Sequence, residues 1–284
     1  MAKDEERLKV IQNIKKSAES GNFNSKVELG DPVITDELRE QVIVNFDTLK
    51  KKIKNKMNAW ASRKVADIAT EMVNKTTEIE GMENIEDLHS GAIITCNHFS
   101  MFDNTVIRHL MRRIGKEKKL YIIVQETNML MTGAIGWLMK NCYTIPLSMN
   151  SEYIVNNFNP TIKKILDKKG FILIYPEEEM WFNYKRPRTH KIGAYHYACK
   201  FDVPVVPCFI EMKETEEVGK DGFYKVDYKL HVLEPIYPNK ELEMRARKED
   251  MRQRDYQAKV DLYEKIYGRS IEEKFNVEND IAGW

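Results

Sequence analysis

The feature that most constrains the fold is a regular alternation of apolar and polar segments between residues 91 and 233. Apolar runs of strand length are separated there by polar or helix-like stretches. These runs are Gly91–Cys96, Leu120–Val124, Tyr143–Leu147, Phe171–Tyr175, Val203–Ile210 and Phe223–Leu233. The first, fourth and fifth are almost continuously apolar, as is typical of strands covered on both faces. The alternation predicts the α/β fold class, with a mostly parallel central sheet covered by helices on both faces.

Helical segments are predicted around these strands. Those between the strands are Asn104–Gly115, Asn159–Lys169 and His190–Phe201. Upstream, Asp36–Lys75 carries apolar residues in steps of about 3.6, which predicts an N-terminal helical extension. Residues 1–30 are polar and interrupted by glycine, so we expect them to pack loosely. The predicted regions are an N-terminal extension with a basic amphipathic helical segment at 1–78, a central domain at 79–238 and a charged C-terminal helical tail at 239–284.

Composition excludes several classes of protein. The chain has 45 Lys and Arg against 44 Asp and Glu, so it lacks the basic excess typical of nucleic-acid binding. The charged N-terminus does not resemble a secretory signal, and no apolar run is long enough to span a bilayer. We therefore expect a cytoplasmic protein that has no nucleic-acid partner and meets membranes only at their surface.

The strongest chemical signal is the segment Asn97–Asp103, with the sequence NHFSMFD, directly after the first predicted strand. α/β sheets bind ligands where strands end and helices begin. If His98 lies in the turn and Asp103 in the first helical turn, the carboxylate holds one imidazole nitrogen and leaves the other to accept a proton. The alternative is a histidine at a helix start, with Asp103 interacting only with the helix dipole.

Two more segments follow predicted strands: Tyr175–Trp181, with the sequence YPEEEMW, and Val203–Pro207, with the sequence VPVVP. With Asn97–Asp103, they resemble the motif blocks of the phospholipid/glycerol acyltransferase family. The block N-H-x-x-x-x-D and the block V-P-V-V-P are matched in full, and F-P-E-G-T-R-S retains Pro-Glu with Tyr in place of Phe. Glu80–Ile85 is similar to the turn that precedes the first block. The resemblance identifies the central domain as an acyltransferase domain.

The resemblance implies a mechanism. His98 takes the proton from an acceptor hydroxyl that attacks an acyl thioester, and Asp103 fixes the imidazole tautomer and offsets its developing charge. Asn97 and Glu177 are predicted in substrate binding, although Glu177 alternatively braces its loop. The implied donor is acyl-CoA or acyl-acyl-carrier protein, a co-substrate, and the residues do not choose between them. No cofactor and no metal are expected.

The chain departs from the family where the acceptor's phosphate is held. Met149 and Met180 stand where the family has arginines. Either a downstream basic cluster replaces those arginines, or the acceptor carries no phosphate monoester. The predicted cluster is Lys185, Arg186, Arg188 and Lys191. Glu178 and Glu179 either pair with the first three of these cations or bind a cationic head group.

A run of basic residues occurs in the N-terminal helical segment, without an intervening acid. It consists of Lys50, Lys51, Lys52, Lys54, Lys56, Arg63 and Lys64. With Met57 and Trp60, it predicts peripheral association with the inner face of a membrane. The alternative is a solvated face whose apolar stripe packs on the domain.

These observations predict an acyltransferase that moves a fatty acyl group from a thioester to a hydroxyl of a lysophospholipid, glycerol phosphate or related lipid. One alternative is a thioester or lysolipid hydrolase using the same dyad. The other is a lipid-binding protein that has lost catalysis.

Overall fold

The computed structural model describes residues 3–30, 34–51 and 53–284, without the side chains of residues 44–56 and 118. The strands are β1 (Glu78–Glu80), β2 (Ala92–Thr95), β3 (Leu120–Gln125), β4 (Thr144–Leu147), β5 (Phe171–Ile174), β6 (Val205–Val218) and β7 (Tyr224–Val232). The helices are α1 (Glu5–Glu19), α2 (Asp36–Lys51), α3 (Ile53–Val73), α4 (Glu83–Glu86), α5 (Asp103–Arg113), α6 (Gly133–Asn141), α7 (Ser151–Tyr153), α8 (Asn159–Asp167), α9 (Gly193–Phe201), α10 (Met244–Tyr267) and α11 (Val277–Asp280).

In the described part of the chain, the strands form one sheet in the order β1-β7-β6-β2-β5-β3-β4. Neighbouring strands are parallel except β6 and β7, which form an antiparallel hairpin. Each predicted strand is present, and the predicted α/β class with a mostly parallel sheet is confirmed. The strand β2, which leads to the predicted dyad, occupies the middle of the sheet.

Helices cover both faces of the sheet, because alternate residues of β2 enter different cores. Ile94 packs with residues of α4 and α5 on one face. Ile93 packs with residues of α8, α9 and α10 on the other. This alternation is the period-two geometry of a strand, and it explains why β2 is apolar at every position.

The expectation that residues 1–30 pack loosely is wrong. α1 begins with Asp4, whose carboxylate accepts a hydrogen bond from the Arg7 backbone N–H at 2.9 Å. One face of α1 buries Val10 and Ile14 against Trp181, in the loop that follows β5. The sequence indicates this helix by a capping residue, Asp4, followed by apolar residues at helical spacing. The glycines at the end of the segment obscured that signal.

The C-terminal helix α10 lies within the predicted tail and packs against α9 and β6. Its inward face contains Val260 and Tyr263, as expected, together with the fully buried pair Asp255 and Lys259. The carboxylate and ammonium groups of that pair are 2.9 Å apart. An apolar periodicity does not reveal buried charges, so this pair could not be predicted from the pattern.

The N-terminal helices include α3, which packs along α5 and exposes its other face. No helix among the described residues has the length and apolar character needed to cross a membrane. Most of the predicted basic run lies outside the described side chains. The residues concerned are Lys50, Lys51, Lys52, Lys54 and Lys56. Arg63 and Lys64 are described, and both lie on α3.

Candidate active site

The turn after β2 is fixed by Asn97, which is 2% exposed. Its side-chain amide donates to the Ile210 carbonyl at 3.1 Å, and its carbonyl accepts from the Ile210 backbone N–H at 2.9 Å. These two bonds hold the end of β2 against β6. The contacts of Asn97 are therefore those of a residue that positions His98, in place of the substrate contact predicted for it.

Asp103 is the first residue of α5, and its side chain points back into the turn. Its Oδ2 lies 2.7 Å from His98 Nδ1 and accepts from the backbone N–H groups of Phe99 and Ser100 at 3.0 and 3.2 Å. Asp103 is 1% exposed, whereas the His98 side chain is 21% exposed. Nδ1 therefore serves as the donor to Asp103. In the part of the chain that the structure describes, His98 Nε2 has no hydrogen-bond partner.

Tyr175 is a member of the site for which sequence reasoning gave no role. Its hydroxyl donates to Asp103 Oδ1 at 2.6 Å. Its ring stacks on the His98 imidazole, with centroids 4.1 Å apart and planes 17° apart. Burial, reinforced by the charge of Asp103, raises the pKa of Tyr175 well above its ordinary value, so the hydroxyl remains a donor. The signal was the replacement of the family's Phe by Tyr at this position.

Glu177 braces the loop after β5. It is 1% exposed and accepts from the His98 backbone N–H at 3.2 Å and from the Arg188 backbone N–H at 3.0 Å. It also forms a 2.8 Å ion pair with the Arg188 side chain. Of the two interpretations of Glu177, these contacts favour the bracing role over a wall of the acceptor pocket.

The predicted cationic cluster does not assemble as a phosphate clamp. Arg186 is buried, pairs with Asp280 at 2.7 Å and also donates to the carbonyls of Ile271, Glu273 and Lys274. Arg188 is 1% exposed and donates to the carbonyls of Phe23, His98 and Glu179. Both guanidinium groups are committed to protein partners. The prediction that Arg186 and Arg188 replace the missing arginines is therefore not supported by their contacts.

The two lysines of the cluster have different surroundings. Lys185 forms a 2.8 Å ion pair with Glu214 on β6. Lys191 is half exposed and lies 3.9 Å from Glu178, and this lysine is not one of the three cations predicted to pair with that acid. Glu179 instead accepts from Gln125 on β3 at 3.1 Å. Among the four cations, only Lys191 has a side chain that is largely accessible to a ligand.

A cavity of about 400 Å³ lies against the turn between His98 and Asp103. Met101 and Phe102, 46% and 50% exposed, line it together with Met180. Further lining residues come from outside the motif blocks and carry positive charge. These are Arg7, Lys220 and Lys225. The cavity thus borders the turn that holds the imidazole, with apolar walls and cations at its surface, although His98 itself is not among its lining residues.

The sheet carries a hydrogen-bonded His–Asp pair directly after its middle strand. Residues 76–211 match the family model described as Acyltransferase. They form an acyltransferase domain that includes His98, Asp103 and the Tyr175–Trp181 and Val203–Pro207 segments.

Comparison with solved structures finds the 1-acyl-sn-glycerophosphate acyltransferase PlsC from Thermotoga maritima, at 16% identity and a TM-score of 0.45. The match covers 79% of this chain and 96% of that one. Comparison with curated protein sequences gives no significant match.

Proposed function

We propose that this chain transfers a fatty acyl group from a thioester donor to a hydroxyl of a lysophospholipid, glycerol phosphate or related lipid, as one step of phospholipid synthesis. The donor in this proposal is acyl-CoA or acyl-acyl-carrier protein. The supporting observation is the geometry of the dyad, in which Asp103 fixes the orientation of His98 through Nδ1. This geometry leaves Nε2 in the acceptor form required of a general base.

In the proposed reaction, His98 Nε2 takes the proton of the acceptor hydroxyl while the oxygen attacks the thioester carbonyl carbon. A C–O bond forms and a tetrahedral oxyanion results. When the oxyanion collapses, the C–S bond breaks and the thiolate leaves with the proton held by the imidazolium. Asp103 stabilises the imidazolium between these steps, because its charge lies 2.7 Å from Nδ1.

The acceptor is proposed to lack a phosphate monoester at the position where the family clamps one. Two observations support this choice between the alternatives. Met149 is 83% exposed and supplies no charge. Arg186 and Arg188 are held by buried protein partners. A dianionic phosphate would be costly to desolvate there without a free arginine. We expect acceptors with a diester, zwitterionic or uncharged head group to be preferred over lysophosphatidate.

Peripheral membrane association is proposed through the outer face of α3. Met57, Trp60, Ile68 and Met72 are between 61% and 70% exposed. Their spacing places them along one helix face. Exposed apolar surface of this extent marks an interaction site, and a tryptophan among such residues is typical of the membrane interface. We propose that this face meets the cytoplasmic leaflet.

The deciding experiment is a panel of lipid acceptors incubated with radiolabelled acyl-CoA or acyl-acyl-carrier protein and resolved by thin-layer chromatography. We expect an acylated acceptor, and a loss of about 10²–10⁴-fold in His98→Ala, because general-base catalysis contributes that factor. His89→Ala is the matched control, since His89 is exposed and lies outside the site. Release of free fatty acid without acylated acceptor would indicate a hydrolase. Retention of more than about a tenth of the rate in His98→Ala would contradict the assigned base.

A further inference from the structure

A second cavity, of about 450 Å³, lies between α3 and α5. Its walls include Trp60 and Arg63 from α3, Arg108 and Arg112 from α5, and Tyr143 at the start of β4. Arg108 follows Asp103 by five residues, which turns it about 140° around the helix and about 7.5 Å along it. The cavity therefore opens on a different face of α5 from the catalytic dyad.

Arg108 is the unusual residue of this cavity. It is 5% exposed, and its Nη2 lies 3.2 Å from Asp67. Its Nε and Nη1 atoms are buried and have no hydrogen-bond partner within the described residues. Orphaned guanidinium nitrogens are costly in a folded protein, because each loses its hydration without a replacement acceptor. An acceptor-rich anion bound in the cavity removes that cost.

The charge of the cavity suits an anion. Its lining contains the cations Arg63, Lys64, Arg108 and Arg112 and the acids Asp67 and Glu117. Asp67 pairs with both Arg108 and Arg112, and Glu71, outside the lining, also pairs with Arg112 at 2.9 Å. Arg63 instead lies over the Tyr143 ring, 4.8 Å from its centroid, and has no carboxylate partner in the described part of the chain. The lining thus carries an excess of guanidinium groups, which favour tetrahedral oxyanions through paired N–H donors.

The cavity also has aromatic walls and a strained backbone. Trp60 is 61% exposed and belongs to the apolar outer face of α3. Tyr143 has a φ of 51°, in the left-handed region that side chains other than glycine rarely adopt. Strain of this kind concentrates where a protein holds a ligand. Beside an arginine cluster, such walls suit a ligand with a phosphate at one end and an apolar body at the other.

We propose that this cavity binds the phosphate of an anionic phospholipid in the membrane surface, separately from the reacting lipid. Arg108 and Arg112 contact the phosphate from α5, Arg63 closes over it from α3, and Trp60 contacts the glycerol and upper acyl chains. The choice of a lipid over a free phosphate rests on the proposed membrane association, since the cavity opens beside the apolar face of α3. A bound lipid then sets the orientation of the domain on the bilayer.

The first experiment does not require membrane binding. Monomeric dihexanoyl-phosphatidylglycerol and inorganic phosphate are titrated separately, and tryptophan fluorescence is followed with Trp60→Phe as the blank. We expect saturable binding of the lipid and an affinity loss of about tenfold in Arg108→Met and in Arg63→Gln, the size of one charge-assisted contact. Arg113→Gln removes the same charge from an exposed position of α5 outside the cavity and should bind as the wild type does.

Two results of this titration overturn the proposal. If neither ligand produces a saturable change, or if all three variants weaken equally, the cavity holds no specific site and only diffuse charge acts. If inorganic phosphate binds as tightly as the lipid, the ligand is a soluble phosphate compound. Arg63 is only partly buried, so Arg63→Gln should fold and remains informative if Arg108→Met unfolds.

The second experiment separates this inference from the proposed function. Wild type and variants are sedimented with phosphatidylcholine vesicles, with and without roughly a fifth of phosphatidylglycerol, enough to give an anionic surface. Arg108→Met should lose only the preference for anionic vesicles, whereas Ile68→Glu together with Met72→Glu should lose binding to both. Acyl transfer to a soluble acceptor should be unchanged in Arg108→Met. Absence of vesicle binding by the wild type would refute the membrane association but leave the titration to decide the site.

Discussion

At the scale of single residues, Asp103 organises the site because both of its oxygens are fully engaged. Oδ2 receives the imidazole Nδ1–H and two backbone N–H groups, and Oδ1 receives the Tyr175 hydroxyl. A carboxylate held from both sides cannot rotate, so the imidazole is held in one tautomer and one orientation. The hydroxyl of Tyr175 also withdraws charge from the carboxylate that His98 depends on.

The first prediction concerns Tyr175→Phe. Removing the hydroxyl leaves Asp103 Oδ1 without its hydrogen bond, so the carboxylate and the imidazole that it orients are held less firmly. The kcat/KM for acyl transfer should fall by about threefold to tenfold, the scale of one hydrogen bond. The measurement is kcat/KM at a fixed pH.

Tyr228→Phe is the matched control for that change. Its ring is in contact with Phe99, at 5.5 Å between centroids, and its hydroxyl has no hydrogen bond within the described residues. The control should leave kcat/KM unchanged. An unchanged kcat/KM in Tyr175→Phe would mean that the hydroxyl only packs beside the dyad.

The second prediction concerns Glu178, which stands where the family's third block has glycine. Its φ is 65°, a conformation that costs side chains other than glycine about 1–2 kcal/mol. Glu178→Gly should therefore raise the free energy of unfolding by about 1 kcal/mol. The lost contact with Lys191 is 3.9 Å long and half exposed, so it offsets little of this gain.

Urea denaturation checks the prediction, with Glu178→Gln as the control that removes the charge and keeps the backbone strain. Gly should be more stable than Gln by about the cost of the left-handed conformation, near 1 kcal/mol. Equal stability of the two variants would show that the backbone at this position is not strained.

The sequence predicted contacts between side chains correctly where the two residues are close in the chain. The spacing of His98 and Asp103 brings them together because five residues span one turn and the start of a helix. The partners of Glu177 and Arg188 come from distant parts of the chain, including Phe23. Motif spacing carries no information about such contacts, so the sequence assigned Arg186 and Arg188 to the substrate, whereas their contacts are with the protein.

At the scale of elements, the segment 175–192 has little regular secondary structure, yet most of it is buried. Two distant parts of the chain hold it in place. Asn24 donates to the carbonyls of Glu177 and Thr189 at 3.1 and 2.8 Å. On the other side, the Lys185 backbone N–H donates to the Asp280 carbonyl at 2.9 Å. These contacts with distant parts of the chain take the place of the regular backbone hydrogen bonds that a helix or strand would provide.

The third prediction concerns Arg186, which ties this segment to α11. Arg186→Met leaves the fully buried Asp280 without its cation and should cost about 3–5 kcal/mol of unfolding free energy. The double variant with Asp280→Asn should recover part of that loss, because no unpaired charge remains. Urea denaturation measures both. Unchanged stability with a raised KM for a phosphorylated acceptor would instead restore the substrate role first predicted for Arg186.

The predicted boundaries of the strands followed the apolar periodicity of the sequence. They were wrong where that periodicity stops before the strand does. The run Val203–Ile210 predicted β6, but the strand continues to Val218 because Glu211–Val218 pairs with β7 beyond the core. Polar residues on an exposed hairpin give no apolar signal. The apolar pattern also does not predict the order of strands in the sheet, because that order depends on crossover connections that local sequence does not encode.

At the scale of the whole molecule, a buried polar network joins α10 to the sheet. Asp255 pairs with Lys259 and accepts from Thr95 on β2 at 2.7 Å and from Tyr195 on α9 at 2.6 Å. His190 lies 2.7 Å from the Tyr195 hydroxyl through Nδ1. Burial, reinforced by the positive charge of Lys259, lowers the pKa of His190 to about 3.

The fourth prediction is that the protein loses stability as the pH falls below about 6.5. Between about 3 and 6.5 the unfolded chain binds a proton at His190 and the folded protein does not. Stability therefore rises with pH across this window, by about 1.4 kcal/mol per unit from this residue. His190→Asn should reduce the slope by that amount without abolishing it, because burial also lowers the pKa of His109 and His196.

Urea denaturation at several values between about pH 5 and 7 measures that slope. This range lies above the pKa of an unfolded aspartate, so Asp255 does not contribute to the difference. A slope that is the same in the wild type and in His190→Asn would mean that His190 takes up its proton in the folded protein.

Residues 175–192 contact parts of the chain that are synthesised at different times. These contacts therefore form in a fixed order during synthesis. Residues 23–25 leave the ribosome long before this segment does, and Asp280 follows Arg186 by 94 positions. At about 5–20 residues per second, several seconds separate the two partners. Throughout that interval the nascent chain carries Arg186 without the carboxylate that neutralises it. The segment beside His98 can therefore reach its final packing only after the chain near residue 280 has emerged.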